Sequence, residues 1–316
     1  MKQLKIVIIG FGNIGKKRYQ AFKKIKKNIF ITHIIDTKFK KKKKINNTIF
    51  SNKINKSEIN YSDLIIISTP TLAAKKFIRL FAGKFNLLVE KPISTDLNFI
   101  KKITKYSTYY KKIFKTGYNL RFDDGISLVK KILEKKEIGN IYYIKNTYAN
   151  GTAKTNSNQV GSLLDMATHS INLMQFLFKN QKIKLLNNIN QRNEFMKKKF
   201  IDNGYICLKI DNCACFIHHG FCTWKNQFEL EISGSKGFIK IISLSKWGDQ
   251  KVILGKRTYP SGIPKMKKWL FKKDNSWKNE CIYIVKELLS NSSSYKFINY
   301  EGYNTMKLIK KINYEI

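Results

Sequence analysis

The stretch KIVIIGFGNIG, residues 5–15, decides the fold. Its first five residues form a short β-branched apolar run, which is typical of a buried strand. Gly10, Gly12 and Gly15 follow at once with the spacing G-x-G-x-x-G. A helical pattern comes next, then a second β-branched run over residues 30–35 that ends at Asp36. This order of strand, glycine turn, helix, strand and acid predicts a dinucleotide-binding βαβ unit.

Each glycine has its own task in such a turn. Gly10 permits the tight turn, Gly12 lets phosphates approach the backbone, and Gly15 lets the helix pack on the strand. The helix N-terminus directs free N–H groups and a positive dipole end at the phosphates, and the acid accepts hydrogen bonds from the ribose hydroxyls. We therefore expect cofactor contacts at Gly10, Phe11, Gly12, Asn13, Ile14, Gly15 and Asp36.

Two neighbouring features bear on the choice between NAD and NADP. The carboxylate of Asp36 would repel the 2′-phosphate of NADP. The five lysines of residues 40–44, in a predicted loop, could instead bind that phosphate. The sequence favours NAD as cofactor and leaves NADP possible.

The length and composition indicate a globular protein of two domains. A chain of 316 residues can bury two cores. No apolar run reaches the ~18 residues of a membrane span, and the first apolar run is too short for a secretory signal. We therefore expect a cytoplasmic protein with no membrane partner. Five cysteines without a C-x-x-C pattern predict small buried hydrophobes rather than a disulfide framework or a metal site.

The net charge of +40 raises the possibility of a nucleic-acid partner. Of the 61 basic residues, however, only five are Arg, the residue that reads bases and binds phosphates with two parallel hydrogen bonds. The lysines are spread through every segment beside abundant Ile and Asn, and these three residue types share A/T-rich codons. We predict no specific nucleic-acid partner and only a weak, salt-sensitive attraction to anions.

Strands and helices alternate as far as residue 117, which predicts a doubly wound parallel sheet covered on both faces. Apolar runs at residues 63–68, 86–89 and 113–117 are its further strands. Ligands bind beyond the carboxyl ends of such strands. We therefore expect further cofactor contacts at the strand ends, from Ser68, Thr69, Pro70, Glu90, Lys91 and Asn119.

The pattern changes after Arg121. Residues 162–178 read as one amphipathic helix that carries Asp165 and His169. Four alternating runs then predict antiparallel strands at residues 205–210, 213–219, 227–233 and 238–243. Two more helices are expected at residues 277–289 and 303–312.

The ordered set of these motifs resembles the Gfo/Idh/MocA oxidoreductases, the relatives of glucose-fructose oxidoreductase and inositol dehydrogenase. The matching segments are residues 10–15, Asp36, residues 68–71, 90–92, 117–122, 161–172, 234–237 and 274–280. The resemblance implies a Rossmann domain at residues 1–120 and an α/β domain at residues 121–298 with an open, mainly antiparallel sheet, often used for homodimer or homotetramer contacts. It also implies that a C-terminal helix, residues 299–316, packs back on the first domain.

The same resemblance implies NAD(P)-dependent oxidation or reduction of a hydroxyl on a sugar, cyclitol or nucleotide sugar. Three positions depart from the family pattern: Ala74 replaces a common His, Ala167 a common Gly, and Asn172 a common acid. The loop of residues 150–161 is also short for the family, in which this region helps to select the substrate. These departures leave the substrate open.

The resemblance points to Lys91, Asp165 and His169 as the catalytic residues. Alcohol oxidation needs a base at the oxygen while the nicotinamide faces the carbon. His169, with an ordinary pKa of ~6.5, suits that proton transfer. Asp165 lies four residues earlier on the expected helix and would orient substrate hydroxyls or support His169. The ammonium of Lys91 would stabilise a developing alkoxide, and no metal is needed.

Three other functions are compatible with parts of the sequence. Some relatives of this fold cleave glycosides by transient oxidation with tightly held NAD, which yields no net NADH. A non-enzymatic sensor of dinucleotide or sugar would not need Lys91, Asp165 and His169 together. Nucleic-acid binding through the charge alone would vanish at physiological salt.

Overall fold

The computed structural model describes residues 3–25, 28–151, 160–196, 198–260, 262–290 and 300–312. Contacts between Cα atoms divide the chain into two compact units. The first unit holds Met1–Asn119 and Trp277–Asn304, and the second holds Leu120–Ser276 and Thr305–Ile316. None of the described helices is long and apolar enough to cross a membrane.

The first unit is built on a seven-stranded sheet of order β3-β4-β2-β1-β5-β6-β7. Every pair in it is parallel except β3 with β4. In chain order its strands and helices are β1 (Leu4–Ile9), α1 (Asn13–Lys23), β2 (Ile29–Ile35), β3 (Lys43–Ile45), β4 (Thr48–Ser51), α2 (Lys56–Ile59), β5 (Leu64–Ile67), α3 (Thr71–Phe81), β6 (Leu87–Glu90), α4 (Leu97–Tyr109) and β7 (Phe114–Gly117), joined late in the chain by α7 (Ser276–Leu289). The predicted Rossmann-type parallel sheet is confirmed.

The central strands of this sheet are buried on both faces. All four residues of β5 and all of β1 except Lys5 are buried. Alternate residues of β1, among them Ile6 and Ile8, pack with Phe22 of α1 and Ile284 of α7 in one core cluster. Burial of each such side chain contributes about 1.5–3 kcal/mol. The continuous β-branched runs therefore form strands because both of their faces are covered.

The register of the sheet brings the strand ends to one edge. Ile9 on β1 lies between Ile35 on β2 and Ile67 on β5. The pairs β5–β6 and β6–β7 continue in the same direction. We call this edge the carboxyl rim, and the residues that follow its strands are Gly10, Asp36, Ser68, Lys91 and Tyr118.

The second unit is built on an eight-stranded sheet of order β15-β14-β13-β12-β8-β11-β10-β9. Only the pair β8–β11 is parallel among its described strands, so the predicted mainly antiparallel sheet is confirmed. Its elements are α5 (Asp124–Glu134), β8 (Ile141–Ala149), a π-helix (Leu163–Ala167), α6 (Thr168–Leu177), β9 (Ile183–Gln191), β10 (Asn203–Ile210), β11 (Cys213–Gly220), β12 (Gln227–Gly234), β13 (Gly237–Ile242), β14 (Gln250–Lys256) and β15 (Lys265–Phe271), followed late in the chain by α8 (Glu301–Lys311). Short 3-10 helices lie at Asn119–Phe122 and Glu194–Met196.

The compact units and the predicted domains divide the C-terminal part differently. Sequence reasoning assigned residues 121–298 to the second domain, whereas Trp277–Asn304 groups with the first unit. Within the first unit, a Cβ at Gly302 would lie 2.4 Å from Thr116 Oγ1. Within the second unit, the Thr305 hydroxyl donates to Gln175 and accepts from Asn172 at 2.8 and 3.1 Å. Helix α8 is thus shared between the two units in sequence.

Three local expectations need correction or lie beyond the description. The lysine run of residues 40–44 is not all loop, because Lys43 and Lys44 open strand β3 beside β4. The cysteines are not uniformly buried, since Cys222 is exposed and Cys207 is half-buried. Residues 152–159, most of the loop that the sequence linked to substrate choice, lie outside the described residues.

Candidate cofactor and active sites

The three glycines of the first turn have three different surroundings. Gly10 has φ +89°, and a Cβ there would lie 2.7 Å from the carbonyl of Ser68. A Cβ at Gly15 would lie 2.1 Å from the carbonyl oxygen of Gly10. A Cβ at Gly12 would meet no described atom within 4 Å. Gly10 and Gly15 are therefore required by the fold itself, whereas Gly12 keeps space open above the turn.

Helix α1 begins directly at that open space. Gly12 is its N-cap and supplies no side-chain hydrogen bond, and no acid lies in the described first turn, which starts with Asn13 and Ile14. The first N–H groups of the helix are therefore available to an external anion. Phe11 packs the turn onto its own unit through edge-on contact with Tyr19, the two ring centroids being 5.7 Å apart.

The carboxylate of Asp36 faces the glycine turn. Its Oδ2 accepts a hydrogen bond from the backbone N–H of Phe11, and its Oδ1 accepts one from Lys38 N at 3.0 Å. The Lys38 ammonium donates to the Phe11 carbonyl. Each carboxylate oxygen has a second lone pair for a ribose hydroxyl. The sequence did not single out Lys38, although it lies only two residues beyond the ribose-reading acid.

The strand end at Ser68 carries two hydroxyls that fit a ligand. Ser68 Oγ and Thr69 Oγ1 are buried and have no hydrogen-bond partner among the described residues. Pro70 follows as the N-cap of α3, and the Thr71 hydroxyl donates to the Pro92 carbonyl at 3.2 Å. Buried hydroxyls without partners are costly unless a ligand or water satisfies them. Together with the space at Gly12, they fit a bound dinucleotide.

Glu90 and Lys91 end strand β6 beside a buried ion cluster that the sequence did not reveal. Arg18, whose exposure is 0%, donates from Nε to Glu90 Oε1 at 2.7 Å and from Nη1 to Glu280. The Trp277 ring lies 4.6 Å from the guanidinium carbon. Burial alone would lower the pKa of Arg18, but Glu280 and Glu90 raise it overall. The backbone that presents Lys91 is thus held by its neighbour Glu90.

Asn119 is the last rim residue that the sequence proposed. It starts the 3-10 helix Asn119–Phe122, two residues beyond the end of β7. Its side chain is half-buried, and the preceding Tyr118 is 1% exposed. The structure therefore brings all the expected cofactor residues of the first unit to the carboxyl rim.

Asp165 and His169 lie in the second unit on a helix that differs from the expected one. The predicted single α-helix begins instead with a π-helix, Leu163–Ala167, that carries Asp165. The Thr168 hydroxyl donates to the Leu164 carbonyl at 2.9 Å, and side-chain bonds of this kind distort helices. Single π turns are frequent at functional sites. Asp165 is half-buried, and His169, on α6, is 8% exposed.

A second buried histidine anchors the start of this helix. Ser162 N donates to the Ile201 carbonyl at 2.7 Å, and Ser162 Oγ lies 2.9 Å from His219 Nδ1. Burial, with a smaller effect of His218, lowers the pKa of His219 to about 3. His219 is therefore neutral at physiological pH. It is a structural partner of the helix rather than a metal ligand, since the described residues contain no group of three metal-binding side chains.

Aromatic side chains surround His169. The Tyr148 ring meets the His169 ring edge-on with centroids 5.6 Å apart, and it also contacts Phe228 and Trp247. The Lys246 ammonium donates to the Tyr148 hydroxyl at 2.9 Å. Sequence reasoning missed both Tyr148 and Lys246, because they are distant in the chain and match no motif.

Comparison with family models matches both halves of the chain. Residues 4–118 match the oxidoreductase family model with an NAD-binding Rossmann fold, and residues 126–240 match the Gfo/Idh/MocA C-terminal domain. Uncharacterized oxidoreductase YrbE of Bacillus subtilis is 27% identical over 56% of this chain and 54% of its own length. Glucose-6-phosphate 3-dehydrogenase of Bacillus subtilis is 23% identical over 63% and 62%. The chain spans about half to three fifths of the length of these curated relatives.

Solved structures share the fold along nearly the whole chain. Levoglucosan dehydrogenase in complex with NADH and levoglucosan has a TM-score of 0.78 at 15% identity, covering 98% of this chain and 96% of that one. Scyllo-inositol dehydrogenase from Lactobacillus casei, with bound NAD(H) and scyllo-inositol, has a TM-score of 0.74 at 16% identity with the same coverage. At such identities the likeness concerns the fold.

Proposed function

Since the chain belongs to the Gfo/Idh/MocA family of oxidoreductases, we propose that it is an NAD-dependent dehydrogenase or reductase of sugar-type substrates. The reaction transfers a hydride between the nicotinamide and a hydroxyl or keto carbon of a sugar, cyclitol or nucleotide sugar. The observation that carries the proposal is the open space at Gly12, bordered by the start of α1 and by Asp36.

The proposed cofactor contacts follow the carboxyl rim. The first N–H groups of α1 hold the pyrophosphate, Asp36 accepts from the ribose hydroxyls, and Ser68 and Thr69 supply their unsatisfied hydroxyls. When bound, the nicotinamide accepts or donates the hydride. Asp36 favours NAD over NADP, and the nearby ammonium of Lys38 keeps use of NADP possible.

The proposed catalytic residues divide the charge changes of the reaction. His169 takes the hydroxyl proton during oxidation and returns it during reduction. Lys91 stabilises the negative charge that develops on the reacting oxygen. Asp165 orients substrate hydroxyls. Arg18 supports Lys91 indirectly, because it fixes the carboxylate of the adjacent Glu90.

A cofactor and substrate screen tests this function. Purified protein is mixed with NAD⁺ or NADP⁺ and with glucose, inositols, sugar phosphates or nucleotide sugars, and reduced nicotinamide is followed at its absorbance. Net reduction that needs both partners supports the proposal. Release of sugar from a glycoside without net NADH would instead indicate the hydrolytic cycle known for this fold. Failure of the protein to bind NADH would contradict both functions.

We also propose that the outer face of the eight-stranded sheet forms a homodimer or homotetramer contact. Five large apolar side chains of this sheet are exposed, at Tyr142, Leu186, Ile189, Tyr205 and Phe216. Tyr205 pairs directly with Ile189 across β9 and β10. Light scattering after gel filtration measures the oligomer, and Phe216→Lys should shift it towards the monomer. Use of NAD(H), an intracellular cofactor, further suggests a cytoplasmic location.

A further inference from the structure

Lys246 occupies a defined position near His169. It lies in the segment between β13 and β14, where its ammonium donates to the Tyr148 hydroxyl at 2.9 Å. The same ammonium lies 4.4 Å from the centre of the Trp247 ring. The Tyr148 ring in turn contacts the His169 ring edge-on. One tyrosine therefore links an ammonium group to the imidazole that is proposed as the base.

The segment that carries Lys246 is anchored at both of its ends by one buried carboxylate. Ser245 Oγ donates to Asp123 Oδ2 at 3.3 Å, and Gln250 Nε2 donates to Asp123 Oδ1 at 2.9 Å. Trp247 N also donates to the Leu244 carbonyl at 2.8 Å. Asp123 itself is 3% exposed and caps helix α5. Lys246 therefore stands on a fixed turn, unlike a lysine on a solvated strand.

The donors of this pair are not consumed by the protein. An ammonium has three N–H donors, and Lys246 gives one of them to Tyr148. No carboxylate in the described part of the chain forms an ion pair with Lys246, although other lysines, such as Lys42 and Lys75, pair with acids. The Tyr148 oxygen accepts from Lys246, so its own O–H is left to donate. The pair thus offers several donors and a positive charge.

We propose that Lys246 and Tyr148 form a subsite for a phosphoryl oxyanion on the substrate, so that the enzyme acts on phosphorylated sugars rather than on neutral ones. The inference rests on the proposed dehydrogenase function and names its substrate class. A lysine ammonium is a strong point-charge partner for phosphate, and the tyrosine adds a neutral donor. The phosphoryl group belongs to a sugar monophosphate or to the diphosphate of a nucleotide sugar.

The test compares three substrates and two matched variants. Glucose, glucose 6-phosphate and UDP-glucose are oxidised with NAD⁺ by the wild-type protein, by Lys246→Gln and by Lys209→Gln. Lys209 is an exposed lysine of β10 in the same unit, so it controls for loss of one positive charge. Glucose 6-phosphate and inorganic phosphate are also titrated calorimetrically into NADH-loaded protein, which measures the subsite without turnover.

We expect the wild-type protein to prefer one of the phosphorylated sugars. Lys246→Gln should raise the KM for that sugar by about 10- to 100-fold, the usual effect of losing a charged hydrogen bond, with little change in kcat. Lys209→Gln should leave both constants within twofold. Preference for glucose 6-phosphate would assign the subsite to a monophosphate, and preference for UDP-glucose would assign it to a diphosphate.

Two results would overturn the subsite. One is equal use of glucose and of both phosphorylated sugars by the wild-type protein, and the other is equal behaviour of Lys246→Gln and Lys209→Gln in kinetics and in titration. These results leave the dehydrogenase function standing, because glucose is still oxidised. Conversely, Lys246-dependent binding of glucose 6-phosphate without any oxidation would support the subsite and contradict the proposed function.

Discussion

Arg18 donates a hydrogen bond from Nε to Glu90 Oε1 at 2.7 Å, which ties helix α1 to the strand end that presents Lys91. The same guanidinium pairs with Glu280 of α7, and the group is fully buried. Removal of the cation would leave two carboxylates inside the first unit. We predict that Arg18→Met lowers the free energy of unfolding by about 3–5 kcal/mol in urea titration. The exposed neighbour variant Lys16→Met should change it by less than about 0.5 kcal/mol; equal effects of the two variants would refute a structural role for the cluster.

Gly12 and Gly15 should separate binding from folding. A side chain at Gly12 enters open space, so Gly12→Ala should change stability by no more than about 1 kcal/mol while it raises the Kd for NADH at least tenfold. A side chain at Gly15 collides with the Gly10 carbonyl, so Gly15→Ala should lower the melting temperature. Calorimetric titration and thermal unfolding measure the two effects. Unchanged NADH affinity in Gly12→Ala would contradict the proposed position of the phosphates.

His169 should be needed for turnover and not for cofactor binding. His169→Ala removes the proposed base and should lower kcat by about 10²- to 10⁴-fold, with the Kd for NADH within twofold of wild type. His218→Asn, a change on strand β11 at the outer sheet face, serves as the histidine control and should keep wild-type kcat. Steady-state kinetics on the substrate found in the screen decide between these outcomes, and full activity of His169→Ala would remove the residue from the mechanism.

His219 should make the protein sensitive to acid. Its pKa is lowered to about 3 in the folded chain by burial, and the ordinary value is ~6.5 when the chain is unfolded. The unfolded chain therefore binds the proton first, so the stability from neutral His219 is complete above about pH 6.5 and is lost as the pH falls towards 3. Between pH 7 and pH 5 this loss amounts to about 2 kcal/mol.

The variant His219→Gln isolates that effect. All other titrating groups are common to both proteins, so wild type should lose about 2 kcal/mol more than the variant between pH 7 and pH 5. Urea unfolding at the two pH values measures the difference. An identical pH dependence of both proteins would show that His219 is protonated in the folded chain.

The sequence predicted those parts of the site that depend on local spacing. Gly10, Gly12 and Asp36 could be assigned because a turn and the strand that follows it lie within 36 residues, and each position has a single physical task. Lys91 was found in the same way, from its place at a strand end. The parallel sheet then brought these positions to one rim, as the alternation of strands and helices implied.

Contacts between distant segments could not be predicted in this way. Arg18 and Glu280 are 262 residues apart, and Lys246 and Tyr148 are 98 apart, so their pairing depends on packing and on strand register. One signal was nonetheless present: a chain that uses Lys at 56 of its 61 basic positions keeps Arg at residue 18. A buried site for two carboxylates is the setting in which Arg and Lys are least exchangeable.

The most direct test of the account is the fate of the carbon-bound hydrogen. The best substrate of the screen, deuterated at every carbon, is oxidised with unlabelled NAD⁺, and the nicotinamide product is analysed by mass spectrometry. Direct hydride transfer predicts reduced NAD that is one mass unit heavier than NADH, formed by the wild type and far more slowly by His169→Ala. Reduced NAD without deuterium, or no reduction with any sugar, cyclitol or nucleotide sugar, would contradict the proposed dehydrogenase.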